Sequence, residues 1–296
     1  LDYFRHPCFF KSVAMGGNAT AEECAMMTAL MRNIRAMTEE AGLKRGRPIL
    51  VAIRVPDSVE YDLGLGLDVE RWLSEGLVDL LITTCYFRLN PWSYSVALGH
   101  RHNVPVYPCL SDSRIKGETR FRRSSVEAYR GEAVNAWAAG ADGIHVFNLF
   151  NPKSKVFREV GDPETLRPLD KLFFVTVRDG DPDRFLAGGS RHRKLDMLAP
   201  GHPVPITRRS PLRTMIDVGE DLPSALKAGL EPAVTCHLEI PLVWSPGQVR
   251  TSLNGTPLEQ GKIARKGWLD YPIRPDVLRR GRSEEHTSEL QSPLNI

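Results

Sequence analysis

The chain has 296 residues and carries 39 Lys and Arg against 36 Asp and Glu, a formal net charge of +3. With the charges so balanced and no basic block, the sequence predicts no nucleic-acid partner, since nucleic-acid binding needs concentrated positive charge. Hydrophobic residues make up 42% and charged residues 25%, which indicates a folded protein and excludes wholesale disorder. No run of about 18 apolar residues occurs, so no membrane span is predicted.

The two ends of the sequence favour a segment of a longer reading frame. The chain begins with Leu1 instead of Met, and no basic stretch followed by an apolar one precedes it, so no signal peptide is visible. Its location is therefore left open between secreted, periplasmic and cytoplasmic. Residues 282–292, beginning Arg-Ser-Glu-Glu-His-Thr-Ser-Glu, match the translation of a widely used sequencing adapter, and we set residues 282–296 apart from the fold prediction. We expect this stretch to pack poorly; a natural polar tail is the alternative.

The cysteines are odd in number and widely spaced, without a Cys-x-x-Cys pair. This pattern predicts unpaired, mostly buried thiols and supports neither a disulfide framework nor a zinc site. The five residues are Cys8, Cys24, Cys85, Cys109 and Cys236.

The first half of the chain alternates strands and helices. Residues 1–4 are predicted to form a short apolar strand. Thr20 and Glu23 have the spacing of a capping box at the start of a helix over 21–41. Residues 47–54 form the next predicted strand, which is almost continuously apolar, as a strand covered on both faces should be.

The same strand and helix alternation continues to about residue 150. Strand centres lie about 30 residues apart, close to the roughly 31 residues per unit of an eightfold barrel. An open doubly wound sheet predicts similar alternation, so the period alone does not decide between the two. The later predicted elements are a helix over 69–76 capped by Asp68, a strand over 77–84, a helix over 92–102, a strand over 104–108, a helix ending near 139 with a capping box of Ser124 and Glu127, and a strand over 144–148.

After residue 150 the pattern becomes β-rich, with frequent Pro and Gly. Asn254-Gly255 directly follows an apolar stretch and predicts a tight hairpin. We expect a first domain over 1–180, a linker over 181–207 and a small β-sandwich over 208–281. The predicted strands of this half cover residues 172–178, 233–240, 249–253 and 268–273.

Functional residues of parallel α/β folds lie at the carboxyl ends of strands and in the loops that follow. Two carboxylates there can divide acid and base roles when their surroundings separate their pKa values. Arginine, tyrosine and asparagine between them would bind hydroxyl groups and stabilise charge. The rule selects Asp2 and Asp112 as candidate catalytic residues, and Arg5, His6, Arg54, Tyr86 and Asn148 as candidate substrate-binding residues.

Four motifs follow one another along the first half of the chain: residues 1–7 (LDYFRHP), 66–79, 125–130 (SVEAYR) and 140–148 (GADGIHVFN). In this order they resemble the family-10-like glycosyl hydrolase domain, with residues 1–7 similar to its fourth barrel strand. The resemblance covers about residues 1–180. The strand and Asn-Gly turn within 249–258 are similar to the β-rich appendage of that family.

The resemblance implies an α/β fold, an incomplete (β/α)8 TIM barrel of about strands four to eight, followed by a small β-sandwich. It implies hydrolysis of glycosidic bonds in a poly- or oligosaccharide. Asp2 falls where the family has its acidic strand-four residue, and Asp112 lies near the strand-seven position. A carbohydrate is the implied partner, no cofactor or metal is implied, and the oligomeric state stays open.

Two other functions remain open at this point. A non-catalytic carbohydrate-binding protein or pseudoenzyme would use the same cleft without two facing carboxylates. A metal-assisted hydrolase would need His and Asp ligand sets at the strand ends, which the sequence lacks. His100 and His102 are therefore predicted to be surface residues. The basic cluster of Arg120, Arg122 and Arg123 predicts a solvated loop or, alternatively, a site for an anionic sugar.

Overall fold

The computed structural model of the chain describes residues 1–84, 86–117, 120–207, 210–259, 261–289 and 294–295. The chain forms two compact units that interleave along the sequence. The first unit comprises Leu1–Arg114, Ala139–Lys153 and Gly180–Leu195. The second comprises Ile115–Ala138, Ser154–Asp179 and Asp196–Ile296.

Helices occur in both units. None of the helices in the described ranges is long and apolar enough to cross a membrane. The α-helices are α1 (Lys11–Ala14), α2 (Ala21–Arg45), α3 (Val59–Leu65), α4 (Val69–Ser74), α5 (Trp92–His100), α6 (Val126–Ala138), α7 (Val156–Glu159), α8 (Pro163–Leu166) and α9 (Leu222–Lys227), with short 3-10 turns at Pro182–Arg184, Gly189–His192, Pro246–Gln248 and Pro275–Val277.

Strands form one parallel sheet in the first unit and separate antiparallel sheets in the second. The fold is therefore mixed α/β. The strands are β1 (Ala52–Val55), β2 (Leu80–Thr83), β3 (Val106–Leu110), β4 (His145–Val146), β5 (Pro205–Ile206), β6 (Leu212–Val218), β7 (Val234–Glu239), β8 (Val249–Leu253), β9 (Thr256–Pro257), β10 (Lys262–Arg265), β11 (Trp268–Ile273), β12 (Gly281–Glu289) and β13 (Leu294–Asn295).

The parallel sheet has the order β1-β2-β3-β4, so successive strands are neighbours. Residues 1–3 extend it beyond β1, because the Leu1 carbonyl accepts a hydrogen bond from the Arg54 amide at 2.9 Å and the Tyr3 amide donates to the Arg54 carbonyl at 2.9 Å. Asp2 and Arg54 are thus bridge partners in parallel register. The carboxyl ends of all these segments consequently meet at one edge of the sheet.

Local capping signals place most of the helix starts. The predicted box at α2 is confirmed, since Thr20 Oγ1 accepts from the Glu23 amide and the Glu23 carboxylate accepts from the Thr20 amide. Asp68 caps α4 as predicted. The predicted Ser124 cap of α6 is wrong by one residue, because Ser125 Oγ accepts from the Ala128 amide at 3.2 Å.

Two elements differ from the sequence prediction. Helix α3 was not predicted; its first turn is capped by Ser58, whose Oγ accepts from the Tyr61 amide. The predicted strand over 172–178 does not form. Carbonyl oxygens of Thr176 and Val177 accept hydrogen bonds from the Arg123 guanidinium, so a side chain takes the place of a neighbouring strand.

The thiol prediction holds in part. Of the four described cysteines, only Cys109 is buried; Cys8 is exposed, and Cys24 and Cys236 are half-buried. Cys85 lies outside the described residues.

The second unit contains the predicted β-rich segment. Strands β8 and β11 have the predicted bounds. Asn254 and Gly255 join β8 to β9 with φ values of 51° and 81°, the left-handed pair that a tight hairpin turn requires. Its hydrophobic core lies beside the sheet of order β10-β11-β7, and its buried members are Ile206, Leu238, Ile240, Val243, Val249, Leu253, Leu269, Tyr271 and Ile273.

The stretch that resembles an adapter translation forms part of a sheet. The backbone of β12 pairs antiparallel with β6 from Gly281–Val218 to Thr287–Leu212, and with β8 from Glu285–Leu253 to Glu289–Val249. Main-chain hydrogen bonds of this kind do not depend on side-chain identity. The pairing of β12 therefore does not by itself require particular side chains at residues 282–289.

Removing residues 282–296 should therefore destabilise the chain, whereas scrambling the order of residues 282–289 should not. We expect the truncation to lower the free energy of unfolding by about 1–3 kcal/mol, because β6 and β8 lose paired backbone groups. The scrambled chain should stay within about 0.5 kcal/mol of the original. Denaturant unfolding measures both. A truncated chain of unchanged stability would instead agree with the expectation of poor packing.

Candidate functional site

The most direct contact among the predicted site residues joins Asp2 to Arg54. The Arg54 Nη2 atom lies 2.5 Å from Asp2 Oδ2, and the Phe4 amide donates to Asp2 Oδ1 at 3.2 Å. The Arg54 side chain is 4% exposed, whereas that of Asp2 is 40% exposed. The Asp2 carboxylate is thus held by a buried guanidinium and is itself partly exposed to solvent.

Phe147 lies at the centre of the surrounding side chains. The Arg54 guanidinium carbon is 4.0 Å from the centroid of its ring, and that of Arg5 is 5.9 Å away. The Tyr86 ring packs edge-on against it at 5.9 Å. Three predicted site residues that lie far apart in sequence therefore meet at one aromatic ring. Both arginines are positioned for cation–π attraction to it.

His145, on β4, is close enough to this group to share its electrostatics. Burial lowers the pKa of His145, and the positive charge of Arg54 adds to the lowering, while Asp2 partly opposes it. Its Nδ1 atom lies 3.3 Å from the sulfur of Cys109, its register partner on β3. A neutral imidazole beside an arginine and a carboxylate can accept or pass a proton.

Backbone strain occurs just after three strands of the parallel sheet. Thr84, Arg114 and Asn148 follow β2, β3 and β4 with φ values of 64°, 63° and 55°. The left-handed region is costly for a β-branched residue such as Thr84. Its hydroxyl donates to the Phe87 carbonyl, which holds the turn. Strain of this kind is concentrated at functional sites, and here it lies at the edge that carries Asp2 and Arg54.

A buried carboxylate, Asp57, ties the loop after β2 to the end of β1. Its oxygens accept hydrogen bonds from the amides of Leu89, at 3.0 and 3.1 Å, and Asn90, at 2.9 Å. Burial raises the pKa of Asp57, and these two amides counteract the rise. Asp57 thereby fixes the segment that carries Tyr86.

In the part of the chain that the structure describes, no side-chain hydrogen bond, ion pair or ring contact joins the remaining candidates to this group. Asp112, His6 and Asn148 are exposed. Asp112 follows Ser111, whose hydroxyl accepts from the Ser113 amide. Across the same described ranges, Asp112 forms neither a hydrogen bond nor an ion pair.

Sequence reasoning missed Phe147, His145 and Asp57 as members of the site. Phe147 and His145 lie inside the predicted strand over 144–148, whereas the rule selects residues at the carboxyl end of a strand or in the loop after it. Asp57 carries a usable signal, since an acidic residue two positions beyond a buried strand satisfies the same rule.

His100 and the basic cluster of Arg120, Arg122 and Arg123 are not part of the group around Asp2 and Arg54. His100 is exposed and its Nε2 atom lies 2.8 Å from Asp142 Oδ2. Among the described residues, no group of three or more His, Cys, Asp or Glu side chains is placed to hold a metal ion. In the second unit, Arg123 is buried in an ion pair with Asp179, so the prediction of a solvated loop is wrong for this arginine.

Comparison with known proteins does not assign the chain to a family. No protein-family model matches the chain, and no curated protein is significantly similar to it.

Proposed function

We propose that this chain is part of a glycoside hydrolase of the family-10-like kind, with the Asp2–Arg54 pair at its substrate site. The observation that carries the proposal is the half-exposed Asp2 carboxylate, held 2.5 Å from a buried arginine at the carboxyl edge of a parallel sheet. Barrel enzymes place their catalytic groups at this edge.

The incomplete barrel is part of the same proposal. Four neighbouring parallel strands in chain order, extended at β1 by residues 1–3, are the arrangement that successive barrel strands adopt. Residues 1–3, β1, β2, β3 and β4 would correspond to about strands four to eight.

The chemistry would be general acid and base hydrolysis of a glycosidic bond in a poly- or oligosaccharide. Asp2 would act on the reacting centre, and Arg54 would orient its carboxylate. Arg5 and Tyr86, which share the Phe147 ring, would contact sugar hydroxyls. Asp112 would be the second carboxylate, and His6 and Asn148 would extend the binding surface.

A non-catalytic carbohydrate-binding protein is the second candidate. One observation favours it: in the described ranges Asp112 forms neither a hydrogen bond nor an ion pair with Asp2 or Arg54. A protein with this arrangement would bind a sugar through Asp2, Arg54 and the aromatic group without cleaving it.

Asp2→Asn should separate these functions. We expect the chain to bind xylo-, cello- or chito-oligosaccharides in calorimetric titration. Asp2→Asn should weaken this binding about 10- to 100-fold, because a charged hydrogen bond to a hydroxyl contributes about 1.5–3 kcal/mol. Where reducing-sugar release is seen, the same change should lower turnover by about 10²–10⁴.

Asp112→Asn is the companion variant. Hydrolysis that falls in both variants supports two catalytic carboxylates. Binding without hydrolysis, with Asp112→Asn unchanged, supports the binding protein. Exposed Asp276 provides the matched control, since Asp276→Asn should alter neither property. If the original chain gives the circular dichroism spectrum of a folded protein and binds none of these sugars, the result contradicts both functions for these substrates.

A further inference from the structure

Two exposed arginines of the first unit lie over the aromatic rings of the Asp2 site. The Arg5 guanidinium carbon is 5.9 Å from the centroid of the Phe147 ring, and that of Arg114 is 4.8 Å from the centroid of the Tyr86 ring. The two rings pack edge-on against each other at 5.9 Å. Cation–π attraction to the rings favours these guanidinium positions. Both positive charges are therefore held beside one pair of rings.

Neither arginine has a carboxylate partner in the part of the chain that the structure describes. Arg5 and Arg114 are both exposed, and across those ranges neither forms an ion pair or a side-chain hydrogen bond. Arg54 differs, because Asp2 lies 2.5 Å away and neutralises it. Asp112, also exposed, adds one negative charge in the loop that carries Arg114. Three arginines against two aspartates leave the site with an excess of positive charge, which attracts an anionic ligand.

The basic cluster of the second unit lacks this property. Arg120 lies 3.3 Å from Asp270, and buried Arg123 lies 2.6 Å from Asp179. Two of the three arginines in that cluster are therefore already paired with carboxylates. The unpaired guanidinium groups that an anionic sugar requires are found at the Asp2 site instead.

We propose that the substrate of the Asp2 site is an acidic oligosaccharide, and that Arg5 and Arg114 bind the carboxylates of its uronic acid residues. The inference rests on the proposed function and names the substrate class of that site. A guanidinium can donate two parallel hydrogen bonds to one carboxylate, and such charged bonds are roughly twice as strong as neutral ones. A neutral sugar would leave both positive charges without a counter-ion, whereas a uronate supplies one.

Calorimetric titration of the full chain tests the requirement for charge. The ligands are trigalacturonate, trimannuronate and an unsulfated chondroitin tetrasaccharide, each compared with its methyl ester, which keeps the sugars and linkages but removes the charge. We expect at least one acid to bind about tenfold or more tightly than its ester. Raising the salt concentration from about 0.05 to 0.5 M should weaken binding of that acid and leave the ester nearly unchanged, because salt screens exposed charges.

Substitution of the two arginines tests their role. Arg5→Gln and Arg114→Gln should each weaken binding of the acid about tenfold and change binding of the ester much less, because glutamine can still donate hydrogen bonds but carries no charge. The matched control is Arg47→Gln, an exposed arginine before the amino end of β1. It should leave binding of both ligands unchanged. The circular dichroism spectrum of each variant is compared with the original, so that loss of binding is not confused with loss of fold.

The outcomes separate this inference from the proposed function. If neutral oligosaccharides bind through Asp2 and no acid binds more tightly than its ester, the inference is overturned and the proposed function stands. A preference for acids that survives both glutamine changes also overturns it, since other residues would then recognise the charge.

Sulfate groups share the chemistry of carboxylates with arginine, so a carrageenan tetrasaccharide, which carries sulfate and no uronate, is titrated in parallel. Tight binding of this ligand without any preference for a uronate over its ester would assign the site to sulfated sugars and overturn the proposal. A folded chain that binds neither acidic nor neutral sugars would contradict both the inference and the proposed function.

Discussion

Arg123→Met should destabilise the chain by about 3–5 kcal/mol, because it leaves a buried carboxylate without its counter-ion. The Arg123 Nη1 atom lies 2.6 Å from Asp179 Oδ1, and both side chains are buried. The same guanidinium donates to the carbonyls of Lys116, Thr176 and Val177. One side chain thereby holds together two chain segments more than 50 residues apart, and methionine of similar length replaces none of these bonds.

Denaturant unfolding measures the loss, with an exposed ion pair as control. Arg274 lies 3.1 Å from Asp276 and both side chains are exposed. Arg274→Met should change the free energy of unfolding by about 0.5 kcal/mol or less, as is usual for surface pairs. If Arg123→Met and Arg274→Met lowered the free energy of unfolding by similar amounts, the buried ion pair would contribute no more to stability than the exposed one.

Asp62→Asn should have the opposite effect and stabilise the chain at neutral pH by about 1–3 kcal/mol, because the amide replaces a buried group whose charged form burial disfavours. Asp62 lies on α3, is buried, and its Oδ1 atom has no hydrogen-bond partner among the described residues. Burial raises the pKa of Asp62 well above its usual value, and the negative charges of Asp57 and Glu60 raise it further. Ionisation of this group therefore opposes folding.

The pH dependence gives the sign of the effect. A carboxyl whose pKa is raised in the folded state favours folding below its unfolded pKa of about 3.8 and loses that contribution as pH rises toward the folded value. The gain from Asp62→Asn should thus be small near pH 3.5 and grow with increasing pH. Exposed Asp276→Asn should show no such growth. A gain that is equal at pH 3.5 and pH 7 would contradict the role of ionisation.

The features of the Asp2 site differ in how far sequence could predict them. The rule that functional residues end parallel strands selected Asp2, Arg54 and Tyr86, which the structure places around one aromatic ring. It could not select Phe147, since a phenylalanine inside a predicted strand is most often a core residue. Nor could it relate Asp112 to Asp2, because that relation depends on the path of the loop after β3.

The basic cluster illustrates the same limit. Arg120, Arg122 and Arg123 lie within four residues of each other, and nothing local distinguishes them. Arg123 is buried because Asp179, 56 residues away, supplies a carboxylate. Arg120 lies 3.3 Å from Asp270 and remains partly exposed. Burial of a charge thus depends on a partner that the surrounding sequence does not reveal.

By itself, the sequence determined the features that depend on neighbouring residues. Capping of α2 and α4, the bounds of β8 and β11, and the Asn254-Gly255 turn follow from side chains that act on backbone groups within a few positions. Only the tertiary structure decided the Asp2–Arg54 pair, the burial of Asp62 and Arg123, and the missing strand at 172–178. Their energies come from desolvation and from partners distant in sequence, and these exist only once the chain has folded.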